Sequence, residues 1–197
     1  MEHSGTVLLG ALATVSFSLT GYVLLPALGI EPEVVTTADG AAYPPALEAE
    51  AQAGREVYRD LGCMYCHTQQ VRAEGYGADI ARGWGRRGSL PVDYQGQQPP
   101  LLGTMRTGPD LANIGGRQPS ETWHMLHLYD PQITSPGSNM PPFPFLFEEV
   151  PGEHPDALAL PDAWAREGVS VVPSERARHL VAYLLTLHQD PSIGGGE

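Results

Sequence analysis

The chain has 197 residues, 23 acids against eleven arginines and no lysine, for a formal net charge of −12. That balance excludes nucleic acid as a natural partner and suits a protein that meets basic ones. The length, with no evident internal repeat, points to one globular domain plus an appendage.

The appendage comes first. Across residues 5–30 the only ionisable side chain is Tyr22, and about 20 mostly apolar residues suffice to cross a hydrocarbon core of about 30 Å. We read residues 1–30 as a single transmembrane anchor. A cleaved signal peptide competes with that reading, because Ala27-Leu28-Gly29 resembles a small-residue cleavage site, but the basic n-region is missing. Thr6, Gly10, Thr14 and Ser18 recur every fourth residue, a small-residue stripe that suits a neighbouring membrane helix. The first arginine is Arg55, so basic residues do not orient the anchor.

Residues 31–45 combine acids, Thr, Asp39-Gly40 and Pro44-Pro45 and read as an extended linker. A helical pattern starts near Ala46 and places Gly54, Tyr58 and Leu61 on one side. The domain predicted from it runs over residues 46–190, with a tail at 191–197. Its interior is rich in Gly and Pro and poor in strand signals. Helix signals return at residues 120–129, in a short piece at 161–166, and at Pro173-Ser174, where Ser174 can cap a last helix that Asp190-Pro191 stops. The predicted fold class is mainly α with long loops, a form whose core a large apolar cofactor would help to fill.

The decisive motif is Cys63-Met64-Tyr65-Cys66-His67. This spacing is that of covalent haem attachment, with Cys63 and Cys66 forming thioethers and His67 reaching the iron as proximal ligand. A thioredoxin-like dithiol would need a strand before it, a structural zinc site would need a second ligand pair that a two-cysteine chain lacks, and a plain disulfide is the blandest alternative. Haem of this kind is attached outside the cytoplasm, which predicts a periplasmic domain on an inner-membrane anchor.

Arg106-Thr107-Gly108-Pro109-Asp110-Leu111 resembles the turn of class I cytochromes c. The resemblance implies that the Pro109 carbonyl orients His67. It also implies that Met140, in the proline-bounded loop Ser138-Asn139-Met140-Pro141-Pro142, is the distal iron ligand. Met105, Met125, His124 and His127 are its rivals. Several wider stretches, Gly54-Arg55-Glu56-Val57-Tyr58, residues 62–72, 106–117, 123–128 and 138–146, resemble the mono-haem subunit of cbb-type cytochrome c oxidases, over about residues 47–187. That similarity implies one covalently bound haem c. It implies a non-catalytic subunit that passes electrons to a large haem-copper catalytic membrane subunit. Other cytochrome c subunits or a soluble cytochrome c would be the donor. Arg72 and Arg106, inside the matched motifs, are the candidates for pairing with haem propionates. Residues 75–102 depart from the family pattern, which keeps open a nitric oxide reductase of the same superfamily as the partner. A free periplasmic electron carrier is the other alternative.

Overall fold

The computed structural model describes residues 3–29 and 35–189, and the backbone of 193–194. The chain divides into two compact units, Met1–Val34 and Val35–Glu197.

Among the described residues the first unit is one helix, α1 (Ser4–Gly29), 26 residues long and predominantly apolar. At about 1.5 Å per residue that is about 39 Å, longer than a hydrocarbon core. Its register widens to a π-turn at Thr20–Leu24. Along the predicted stripe, the Thr14 hydroxyl donates to the Gly10 carbonyl at 2.9 Å, so its polarity is met within the helix.

The second unit begins with structure where a linker was expected. β1 (Val35–Thr37) and β2 (Ala42–Tyr43) form an antiparallel hairpin, with Val35 opposite Tyr43. The Asp39-Gly40 turn allows it, because Gly40 takes a positive φ of 83°. Val35 and Tyr43 are buried with Val92 in a small apolar cluster, so this segment belongs to the domain. Residues 31–34 of the expected linker lie outside the described residues.

α2 (Ala49–Asp60) follows and buries Ala51, Gly54, Val57 and Tyr58. After it the chain wanders through turns to α3 (Ile114–Arg117), α4 (Glu121–Tyr129) and α5 (Pro131–Thr134). Ser120 caps α4 by accepting from the Trp123 N–H, and Asp130 caps α5 by accepting from the Gln132 N–H. β3 (Phe147–Pro151) and β4 (Val169–Pro173) then pair antiparallel over five residues each. This hairpin corrects the reading of few strands, and residues 161–166, expected as a helix piece, form turns within its long connection. α6 (Glu175–Thr186) is capped by Ser174 as predicted, but ends four residues before Asp190, which lies outside the described residues. β5 (Ile193–Gly194) pairs with β1, so part of the expected tail joins the first sheet.

The core forms where α2 crosses α6. A Cβ on Gly54 would sit 1.7 Å from the His179 carbonyl oxygen, so the backbones touch there. Beside that contact Tyr58 and Tyr183 meet edge to face at 5.5 Å between ring centres. Leu101, Leu111, Ile114, Met125, Leu128, Leu146, Leu180 and Leu184 extend the same cluster, which joins the two main helices to α4 and the β3–β4 hairpin.

Candidate functional site

Gly62, at φ 72°, ends α2 and starts a tight turn over Cys63–Tyr65. The N–H groups of Cys66 and His67 both donate to the Cys63 carbonyl, at 3.2 and 3.0 Å. Both thiols are free, with Cys63 half-buried and Cys66 exposed. Burial pushes the Cys63 thiol up to about 11.

The loop at residues 104–111 is laced onto this turn through backbone. Thr104 N–H donates to Met64 O at 3.0 Å, Gly108 N–H to Cys66 O at 2.9 Å, and Leu111 N–H to Thr68 O at 2.7 Å. The result brings Pro109 O to 2.8 Å from His67 Nδ1. A carbonyl only accepts, so Nδ1 carries the proton and Nε2 keeps its lone pair. Gly108 lies flat against the ring, where a Cβ would fall 2.3 Å from Cε1 and 2.8 Å from Nε2. Burial holds the His67 pKa below the ordinary imidazole value, although the Pro109 carbonyl and the Asp110 charge oppose the shift. Asp110 is fully buried. Its carboxylate accepts from the Thr68 hydroxyl at 2.6 Å and from the N–H groups of Gln70 and Ala112 at 2.8 and 2.9 Å. That fastens the proline turn to the strand of chain after His67.

A cavity of about 430 Å³ opens over His67. Cys63, Pro109 and Met140 line it together with Leu111, Ile114, Leu128, Leu180 and Leu184. Thus Cys63, His67, Pro109 and Met140 are brought to one cavity, with Cys66 at the exposed end of the turn. Of the rivals to Met140, Met125 is buried in the core and Met105 is exposed, and neither lines the cavity. His124 and His127 do line it, but each has a ring nitrogen engaged. His124 Nε2 is 2.8 Å from Gln118 O, and His127 Nδ1 is 2.5 Å from Thr134 Oγ1. His127 also stacks on Trp123 at 4.7 Å. Burial, with the charges of His124 and His67, pushes His127 down to about 4.

Arg72 and Arg106 are placed differently from expectation, since neither lines the cavity. Arg106 is spent on other groups: Nη1 is 2.5 Å from Asp79, Nε donates to the Thr68 hydroxyl at 3.0 Å, and Nη2 donates to Gln70 O. Arg72 gives its backbone N–H to Asp79 at 2.7 Å. Sequence reasoning passed over Arg117. Its Nη2 donates to Asp110 O, its Nε is buried with no partner, and its charge acts on His67. Only its place seven residues after Asp110 in a glycine-rich run marked it in the sequence.

The donor set fits a haem. An imidazole nitrogen and a thioether face a largely apolar cavity of ligand-binding size, with a thiol on the wall and a second three residues on. Tyr58 OH, on the same wall, is buried without a partner. Among the described residues no group of three or more His, Cys, Asp or Glu is placed to hold a bare metal ion.

Residues 1–159 match the family described as cytochrome c oxidase, mono-heme subunit/FixO. The chain belongs to that family. Membership makes it an oxidase subunit with one haem, working in electron transfer beside a catalytic haem-copper subunit. Among curated proteins none matches the sequence. The family match ends before α6, so the mono-haem subunit takes part of its cavity wall, Leu180 and Leu184, from outside the matched region.

Proposed function

We propose that this mono-haem subunit is a c-type cytochrome with a class I-like haem domain, held to the inner membrane by residues 1–30. The domain over residues 46–190, extended by the β1–β2 hairpin, lies on the periplasmic side. It passes electrons from another cytochrome c to the large catalytic subunit of an oxygen-reducing haem-copper oxidase. When bound, the haem supplies reversible one-electron iron chemistry. Cys63 and Cys66 would hold the porphyrin through thioethers, and His67 Nε2 and Met140 would be the iron ligands. Pro109 fixes the tautomer and orientation of His67 and Gly108 admits its ring. A haem held by His67 and Met140 would have its iron ligands supplied by the chain itself, which would suit a carrier rather than a catalyst.

The observation that carries this reading is the contact of His67 with Pro109 and Gly108 at an apolar cavity that Cys63 and Met140 also line. Two measurements on the purified full-length protein test it. The pyridine haemochrome spectrum should be that of a haem joined through two thioethers. Met140→Ala should abolish the sulfur-to-iron charge-transfer band and lower the midpoint potential, with haem still attached. A haem that extracts into acid acetone, or an unaltered band in Met140→Ala, refutes the covalent attachment or the methionine ligand respectively.

A further inference from the structure

The haem domain contains a second large cavity, about 530 Å³, that shares no lining residue with the first. It opens between the 43–47 segment, the 95–98 turn and the end of α6, and its wall includes Arg55, Gln69 and Tyr183. Arg55 is 4% exposed, so its guanidinium charge is buried. One arm donates to the Pro99 carbonyl, and the other reaches Glu56 only at 3.4 Å. The second oxygen of Glu56 is held by Arg59 at 2.6 Å. A buried cation with so thin a counter-charge is unfavourable unless an anion meets it.

The neighbouring amide supplies a second donor. Gln69 is 2% exposed; its Oε1 accepts from the Tyr183 hydroxyl at 3.1 Å, and its Nε2, which lies near the Tyr58 hydroxyl, makes no well-formed hydrogen bond. Tyr183 lines the cavity with Arg55 and Gln69, and burial raises its hydroxyl pKa while the Gln69 hydrogen bond and the Arg55 charge oppose the shift. The acid on the wall, Asp93, is already matched. It takes two hydrogen bonds from Arg87, at 2.7 and 2.9 Å, and one from Tyr43 OH at 2.7 Å. Among the described lining residues Arg55 therefore carries the positive charge with the thinnest counter-charge, and Asp93 would repel a second negative charge on a ligand. Leu47, Ala112 and Leu187 make part of the wall apolar.

We propose that this cavity binds a small organic monocarboxylate, its carboxylate facing Arg55 and the Gln69 amide N–H and its hydrocarbon part facing Leu47 and Leu187. Guanidinium and amide N–H groups match the planar fork of a carboxylate better than a spherical ion. The volume lies in the range of small-molecule sites.

The test is calorimetric titration of the full-length, haem-loaded protein in detergent with sodium acetate, sodium benzoate and sodium chloride at equal ionic strength. One saturable carboxylate per chain is expected, with benzoate binding more tightly than acetate and chloride giving no saturation. Arg55→Lys should weaken benzoate at least tenfold, because lysine lacks the planar fork, and Gln69→Leu several-fold. The haem absorption spectrum reports whether each variant is folded, and Gln69→Leu decides alone should Arg55→Lys not fold. Absence of saturable uptake, equal saturation by chloride, or unchanged affinity in a folded Gln69→Leu would each overturn the proposal.

Discussion

The apolar cavity over His67 and the excursion of residues 75–102 are ordered in different proportions. Around His67 one buried carboxylate, Asp110, ties the turn, and the rest is backbone and apolar packing: main-chain hydrogen bonds lace one loop to another, a glycine admits a ring, and leucines from α6 close the wall. The excursion has few large apolar residues to bury and is organised by two carboxylates instead. Asp79, 2% exposed, gathers Arg106 and the Arg72 N–H. Asp93, equally buried, gathers Arg87, Tyr43 and the Leu90 N–H. Trp84 lies near two guanidinium groups, those of Arg82 and Arg106, at 5.0 and 5.6 Å from its ring centre. A glycine-rich stretch can thus be fixed without a hydrophobic core of its own, provided each buried carboxylate collects several donors.

The largest expected effect lies on the apolar side. Gly54→Ala drives a methyl into the His179 carbonyl, which is backbone and cannot swing away. The helix crossing should lose about 3 kcal/mol or more, read as a lower denaturant midpoint of the haem-loaded protein. A loss below about 1 kcal/mol would mean that the crossing yields and that packing there is looser than the contact implies.

Asp79→Asn probes the other side. It leaves Arg106 with Asp110 alone, at 3.6 Å, in place of the closer Asp79, and a loss of about 2–3 kcal/mol is expected at neutral pH. Burial pushes the Asp79 pKa up, but hydrogen bonds from Arg106 and Arg72 and their charges outweigh it, so the folded value lies below the ordinary carboxylate value. A depressed pKa stabilises the folded state above the unfolded value, and the gain disappears as pH falls through the folded one. The stability difference between wild type and variant should therefore be flat above about pH 5 and shrink below about pH 4. Thermal melts across that range check it, and a difference independent of pH would remove the ion pair from the account.

Smaller changes sharpen the comparison. Tyr43→Phe leaves Asp93 with Arg87 and the Leu90 N–H, so about 1 kcal/mol is expected in urea unfolding. Ser174→Ala removes the cap of α6, where the hydroxyl accepts from the Ala177 N–H at 3.3 Å. That loss should be about 1 kcal/mol or slightly less. If the tyrosine proves the costlier of the two by several-fold, the excursion carries more of the domain's stability than its composition suggests.

The same contrast explains what could be read in advance. Cys63, Cys66, His67, Pro109 and Met140 sit in short motifs whose chemistry is local, and Ser120 and Ser174 announce their helices one residue ahead. Arg106 was readable as an arginine near the motif, but its partner Asp79 lies 27 residues earlier, and nothing in either neighbourhood reveals the other. The β3–β4 hairpin failed for a related reason. Glu148 and Glu149 are both exposed in a strand whose partner starts about twenty residues on, so the first strand alone looks like a solvated acidic loop. The β1–β2 hairpin is only three and two residues long, too short to show alternation.

The placement of α6 at the far end of the sequence sets an order of events during synthesis. The ribosome delivers Cys63 and His67 long before Leu180 and Leu184, which finish the wall above them. Until that last helix folds back on α2, the cleft beside His67 lacks the part of its wall that Leu180 and Leu184 supply, so the pocket is complete only once the end of the domain has been made.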